Sequence, residues 1–299
     1  MRYIIISLML LILPLSMFAI PSNAREYGFQ FLQIPVSPVA SALAGNGIYA
    51  TNYPGAFVLN PAANLMDESF SLSLNHTIWL VDTNYSQIVY SKGNRNKHFG
   101  LAARVLDYGQ IDTRDDTSAI IGNYHPLDAN LLTNFAYRIM PDHMIGVNIG
   151  ILYEKLETAS SYGVNADLGY MYLPPVANSV LFASVKNLGY TSKMENENIK
   201  LPLTCEAGIG YTIPSEVFVL SSQAAFNKAV DTDAHVTISS ELALWKMLAI
   251  RLGYKFNYSD ENLTAGIGIN WLDISVNYGW ASWSDRLNDT HSFGITYNF

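Results

Sequence analysis

The sequence predicts an all-β chain: a transmembrane, antiparallel, up-and-down β-barrel of about 14 strands with an irregular N-terminal plug. Three observations predict it. Alternating apolar and polar stretches recur from residue 70 to the end, the connections between them sort by length, and the final ten residues form a two-faced strand ending on an aromatic ring. In that last stretch His291, Phe293, Ile295, Tyr297 and Phe299 are mostly large and apolar, whereas Thr290, Ser292, Gly294, Thr296 and Asn298 are small or polar. A period of two means a strand with unlike faces. About ten residues suffice for a tilted strand to cross a membrane. An uncovered apolar edge aggregates in water, so this strand is expected to close a barrel on the first one. Phe293, Ile295, Tyr297 and Phe299 are the expected insertion signal, read by the barrel-assembly machinery. Taken alone, the stretch also fits the last strand of a soluble sandwich.

At the other end, Arg2 is followed by an uncharged apolar run over residues 4–20, then Pro21, Ser22, Asn23 and Ala24. One positive charge, an apolar core and small residues at this spacing describe a secretory signal peptide over 1–24, cleaved after Ala24. No cysteine stands near that point, so a lipid anchor is not expected. Arg2 is the leader's one charged residue, so the mature chain carries 16 basic and 25 acidic residues, a net of −9. That balance excludes a nucleic-acid partner, which wants a basic face. Charged residues make up 14% of the chain, against about 25% in ordinary globular domains. Low charge, 19 tyrosines and no internal apolar run of helical-span length fit a membrane barrel better than a helical membrane protein. Cys205 is the single cysteine, which excludes an internal disulfide and a thiolate metal cluster. It alternates with Leu203, Ala207 and Ile209 and reads as a small apolar residue facing lipid or a neighbour.

Residues 25–67 are read as the plug segment. Phe29, Phe31, Leu32 and Ile34 precede Pro35 and Pro38; an alanine-rich piece over 39–44 predicts a short helix, and Asn60, Pro61, Ala62, Ala63, Asn64 and Leu65 follow. Proline breaks ladders and glycine permits close backbone approach. The segment is too irregular for membrane strands and too apolar for a solvated tail.

Residues 68–299 are read as the barrel. Its strands are expected around residues 70–74, 85–91, 99–105, 131–139, 145–153, 162–170, 180–187, 203–211, 218–226, 235–244, 248–256, 263–269, 274–280 and 290–299, the second with weak contrast. The turns around Pro141, Pro174, Pro214, Trp245 and Asn270 are mostly short. The opposite parity holds the long connections, over 107–128, 188–200 and 281–289. Outer-membrane barrels have short periplasmic turns, long external loops and an even strand count. A sandwich has no reason to sort its loops in this way. On the second face Gly146, Asn148, Gly150, Asn165, Asp167, Gly169, Glu206, Gly208 and Gly210 suit a lumen holding water or a plug.

Phe31-Leu32-Gln33-Ile34, the segment 40–50, and Asn60-Pro61-Ala62-Ala63-Asn64-Leu65 resemble the N-terminal signature of the PorV/PorQ family. The resemblance continues in Asp167-Leu168-Gly169, Asn187-Leu188-Gly189, Leu201-Pro202 and Arg251-Leu252-Gly253-Tyr254, and so covers nearly all of the mature chain. That family is similar to FadL-type barrels of 14 strands with an N-terminal plug. The resemblance implies a non-enzymatic protein of the bacterial outer membrane that assists type IX-like secretion or surface attachment. Its implied partners are lipid, secreted cargo proteins and secretion components. The alternative it implies is FadL-like passive transport of hydrophobic small molecules. A crevice in the wall beside the plug favours transport, and a wide external mouth with no apolar path favours secretion. The Asn60-Pro61-Ala62 turn, with Leu65, is expected to be structural, because asparagine caps through its side chain and proline restricts the backbone.

Chemistry is not expected. The histidines at 76, 98, 125, 143, 235 and 291 have no metal-ligand spacing, no Gly-x-Ser-x-Gly is present, and no phosphate-binding loop occurs. Catalytic, cofactor and metal residues are therefore assigned as none. The run Asp112-Thr113-Arg114-Asp115-Asp116 has the oxygens calcium wants, but Arg114 opposes it and a solvated loop is the expectation.

Overall fold

A computed structural model describes residues 27–66, 68–194, 197–284 and 287–299. The leader and its cleavage after Ala24 lie outside them. The chain forms a closed barrel whose strands follow one another in chain order. They are β1 (Ser69–Ile78), β2 (Asn84–Gly93), β3 (Lys97–Asp107), β4 (Leu127–Met140), β5 (His143–Leu156), β6 (Ala159–Tyr172) and β7 (Ser179–Thr191). Then come β8 (Thr204–Pro214), β9 (Phe218–Ala229), β10 (Ala234–Leu244), β11 (Leu248–Phe256), β12 (Glu261–Trp271), β13 (Ile274–Trp283) and β14 (Thr290–Asn298). All 14 strands expected from the alternation are present, and β14 closes on β1 with Leu72 opposite Tyr297 and Leu74 opposite Ile295.

Alternation sets the two faces. Ile149 and Ile151 are 57% and 58% exposed, while Asn148 between its apolar neighbours is 0% exposed. The same inversion runs round the wall: Leu131, Phe135, Leu168, Ile209, Leu252 and Val276 face outward, and Asn130, Asn134, Asp167, Glu206, Arg251 and Asn277 are buried inside. An exterior so apolar around a polar interior is stable in lipid and not in water. Among the described residues no helix is long and apolar enough to cross a membrane; strands make the crossing. At the short-turn rim a file of rings runs Phe299, Phe70, Tyr90, Phe99 and Phe135, with successive centroids 4.3–6.3 Å apart. Aromatic girdles sit at this level because the ring is apolar and its edge tolerates the interface.

The short turns are tight. Trp245 and Lys246 both adopt positive φ (49° and 58°), the pattern of a two-residue hairpin turn matched to strand twist. The long external connections hold structure that the sequence pattern did not indicate. Ile111–Arg114 pairs with Ile120–Tyr124 between β3 and β4, and Lys193–Met194 pairs with Glu197–Asn198 between β7 and β8. Asp115 accepts hydrogen bonds from Thr117 and Ala119 and so closes the turn expected there as a solvated loop.

The N-terminal segment threads the lumen from the external end to the periplasmic end. Tyr27 bridges to Lys200, Phe31 packs beside Tyr85, and the Thr77 hydroxyl donates to the Val36 carbonyl at the top of β1. Helix α1 (Pro38–Ala42) follows, with Ser37 capping Val39 and Pro38 at its first position. This places it where the alanine-rich piece predicted it. Helix α2 (Ala56–Leu59) and a turn at Asn60 complete the descent. Val39, Leu43, Ile48, Tyr53 and Leu65 pack with Met144, Met171, Val180 and Phe182 of the wall, so the periplasmic half of the barrel is a filled core. Glycines on the wall let the plug approach: a side chain on Gly279 would strike the Pro38 carbonyl, and one on Gly146 would strike Pro61.

Candidate functional site

Above that core lies a cavity of about 480 Å³. Its floor is Tyr53, Val58 and Leu59 of the plug, and one side is the strap of residues 32–37. The opposite side is the inner face of β6–β11, contributing Asp167, Lys186, Glu206 and Lys255. Toward the outside it is lined by Asp233, Asn257, Asp260, Trp79 and Trp283. The lining is therefore divided: apolar on the plug, hydrogen-bonding and charged on the wall.

The wall charges are fixed by their neighbours. Lys186 Nζ lies 3.0 Å from Glu206 Oε2, and Lys255 is paired with Glu261. Asp167 accepts from Asn148 (3.0 Å) and from the Asn187 backbone N–H (2.8 Å). That last bond belongs to a bulge: β6 and β7 shift register between Ala166 and Leu168, and Asn187 takes φ 64°. A bulge interrupts the ladder and re-aims side chains, and here it turns Asp167, Lys186 and Asn187 onto the cavity. Deeper, on β3, Arg104 hydrogen-bonds Asn130 Oδ1 through Nε (3.1 Å) and Nη2 (2.6 Å).

The residues singled out as the plug turn converge at the lumenal floor. Asn60 Oδ1 accepts from the Ala62 N–H at 2.9 Å, and its Nδ2 donates to the Ala183 carbonyl at 3.0 Å. Asn134 Nδ2 donates to the Pro61 carbonyl (2.9 Å), and Arg138 Nη2 donates to that of Leu65 (2.8 Å). Ala62 and Leu65 are wholly buried. All of these contacts are internal hydrogen bonds and packing. Asn60→Ala removes both side-chain bonds of a buried asparagine, which should cost about 1–3 kcal/mol. Urea unfolding of the variant against the parent in detergent checks this, and an unchanged midpoint would deny the turn a structural role.

Phe293, Ile295 and Tyr297 face outward on β14 and Phe299 is exposed just past its end, with Gly294 turned inward against Pro38. The Phe299 N–H donates to the Phe70 carbonyl at 2.8 Å, and the two rings stack. Deleting Phe299 removes the last rung of the closing seam, and membrane-inserted protein should fall several-fold. Immunoblots of outer-membrane fractions measure this, and parental levels would contradict an insertion signal there.

The histidines do not converge. His76 pairs outward with Ser86, His143 meets Tyr170 near a periplasmic turn, and His98 lies between Ser91 and Asn134. His125, close to Asp128 in sequence, instead contacts Asp107 at 2.6 Å, while Asp128 accepts from the Tyr108 hydroxyl. Burial and the neighbouring Asp128 push the Tyr108 hydroxyl up. No group of three or more metal-ligating side chains is found among the described residues. Arg104, Lys186 and Lys255 were not singled out from sequence. The signal that finds them is a charged residue at a position of polar parity within an apolar strand.

No family model matches the sequence, and no curated protein matches it. Solved structures do share the fold. The CymD monoaromatic hydrocarbon channel superimposes with a TM-score of 0.64 at 12% identity, covering 88% of this chain and 97% of that one. The Pseudomonas putida toluene transporter TodX gives 0.61 at 12% identity over 88% and 97%. A Pseudomonas aeruginosa FadL homologue gives 0.55 at 10% identity over 89% and 99%. The fold is thus FadL-like, and the apolar exterior of the barrel places it in a membrane. At these identities the likeness carries the fold and not the ligand.

Proposed function

We propose that this chain is a passive, non-enzymatic channel for hydrophobic small molecules across the outer membrane. The observation that carries the reading is the cavity beside the plug, open to the external side and floored by apolar plug residues. The cavity lies within the lumen beside the plug and not in the wall, and its apolar floor supports transport. Cavities of this volume hold small ligands, and here an apolar plug floor faces a hydrogen-bonding, charged wall. The fold is shared with channels described as carrying monoaromatic hydrocarbons, which supports the same reading.

The test is flux into vesicles holding the purified barrel. Toluene should enter faster than into protein-free vesicles, and glucose should not. Equal toluene entry with and without protein would overturn the reading. The second reading, a PorV/PorQ-type role in secretion, rests on the order of the N-terminal motifs, Asn60-Pro61-Ala62 above all. Mass spectrometry of what co-purifies in mild detergent separates the two. Secreted proteins with a common C-terminal domain would favour secretion, and bound apolar small molecules would favour passage.

A further inference from the structure

Arg104 stands apart from the other buried cations of the barrel. Arg251 and Lys255 each hold a carboxylate, as does the part-buried Lys186. Arg104 is 6% exposed, lines the cavity and, among the described residues, pairs with no carboxylate. A buried guanidinium without a counter-charge is costly, because it has left water and gained no opposite charge in return.

Its neighbours orient it as a donor. Asn130 Nδ2 is spent on the Ile151 carbonyl at 3.0 Å, which turns the Asn130 oxygen onto the guanidinium. That oxygen and the Tyr85 hydroxyl beside it cannot together satisfy five N–H groups. Gln87 on β2 is the direct cross-strand partner of Arg104, is 3% exposed, and lines the same cavity. Its Oε1 accepts from Asn75 Nδ2 at 3.1 Å. That bond fixes the amide so that Nε2, the donor end, is the end left for the cavity. Two adjacent, buried side chains are therefore held with donors forward and acceptors occupied.

The surroundings limit what can fill the space. Val36, Tyr53, Val58 and Leu59 give a short apolar floor. Beyond it the cavity is lined by the Lys186–Glu206 and Lys255–Glu261 pairs. A long acyl chain would have to lie across those pairs.

We propose that Arg104 and Gln87 form a carboxylate site whose ligand is a compact aromatic or alicyclic acid, its ring on the plug floor. The guanidinium fork and the amide bind the two carboxylate oxygens, and the arriving charge neutralises Arg104. The proposal rests on the cavity being the passage, and it narrows what passes from hydrophobic molecules in general to those with an anionic end. Asp233 and Asp260 line the outer end of the cavity and repel anions at low salt, so added salt should speed entry while the site sets affinity.

Equilibrium dialysis of the full-length protein in detergent, with benzoate as probe, tests it. Saturable binding is expected, weakened about tenfold or more in Arg104→Gln. Gln87→Glu gives the guanidinium a carboxylate of its own, so it should keep the fold and also lose benzoate. Both variants should keep the parent's heat-modifiable mobility on gels, which separates loss of the site from loss of the fold. No saturable benzoate binding, undiminished binding in both variants, or displacement of benzoate by oleate at concentrations below those at which benzoate itself binds would each overturn the proposal. Absence of toluene flux in the parent would instead overturn the passage reading, which the binding result does not touch.

Discussion

Gly146→Leu should unseat the plug and turn the barrel into an open pore. Gly146 is inward on β5, opposite Ala136 and Gly169. A side chain there would meet the Pro61 carbonyl and stand 2.7 Å from the Ala62 nitrogen. Those are backbone atoms, which cannot rotate aside. The plug turn must lift, and with it go the bonds from Asn134 to Pro61, from Asn60 to Ala183 and from Arg138 to Leu65. The lost bonds cost about 1 kcal/mol each, on the scale of the about 1–3 kcal/mol of ordinary overpacking, but here the clash begins at the Cβ against backbone atoms, so no rotamer relieves it and the turn has to move. The ladder and the lipid face are untouched, so the barrel should still assemble and keep its heat-modifiable mobility on gels. Vesicle swelling in glucose should rise from background to a clear rate. Background swelling with normal assembly would mean that the turn at Pro61 does not close the lumen.

The sequence showed the wall more clearly than the plug, for a physical reason. Lipid imposes one rule on every outward position, so Ile149, Ile151, Leu168 and Ile209 disclose the strands in which they sit. The inner face obeys no single rule. Where it meets charge or the plug's backbone carbonyls it is polar, as at Glu206 and Asn148; where it meets the plug's side chains it turns apolar. This explains the weak contrast of β2, whose inward Tyr85 and Val89 are wholly buried in plug-facing clusters with Phe31 and Phe57. Helix α1 was legible because alanine and the preceding Ser37-Pro38 act locally. Its seat against Gly279 was not, since nothing in the sequence links residues so far apart. The cavity was hidden for the same cause. Arg104 sits in the third alternating stretch between Ala103 and Val105, and only the closing of the barrel brings it beside the plug. The hairpins in the external loops went unseen because each is short and exposed on both faces.

Arg251→Met should be the most destabilising single change in the barrel wall. Arg251 and Glu241 are cross-strand partners on β11 and β10, 1% and 2% exposed. Arg251 Nε reaches Glu241 Oε2 at 2.7 Å, and its Nη1 reaches Asn277 Oδ1, also at 2.7 Å. The other Glu241 oxygen accepts both the N–H and the hydroxyl of Thr51 at 2.8 Å, so the pair also pins the plug to the wall. Methionine in place of Arg251 leaves a carboxylate buried without its cation, a loss of about 3–5 kcal/mol. The double variant Arg251→Met with Glu241→Met removes the stranded charge and should recover most of that. It should still fall short of the parent by about 1–3 kcal/mol, because the Thr51 donors are then unmet. Urea unfolding midpoints in detergent should therefore rank the parent first, the double variant second and Arg251→Met last. The order of the last two carries the argument. If the double variant were the weaker, the two side chains would be contributing separately to packing and not as a charge pair. If the double variant matched the parent, Thr51 would have found other partners and the wall would hold the plug without Glu241.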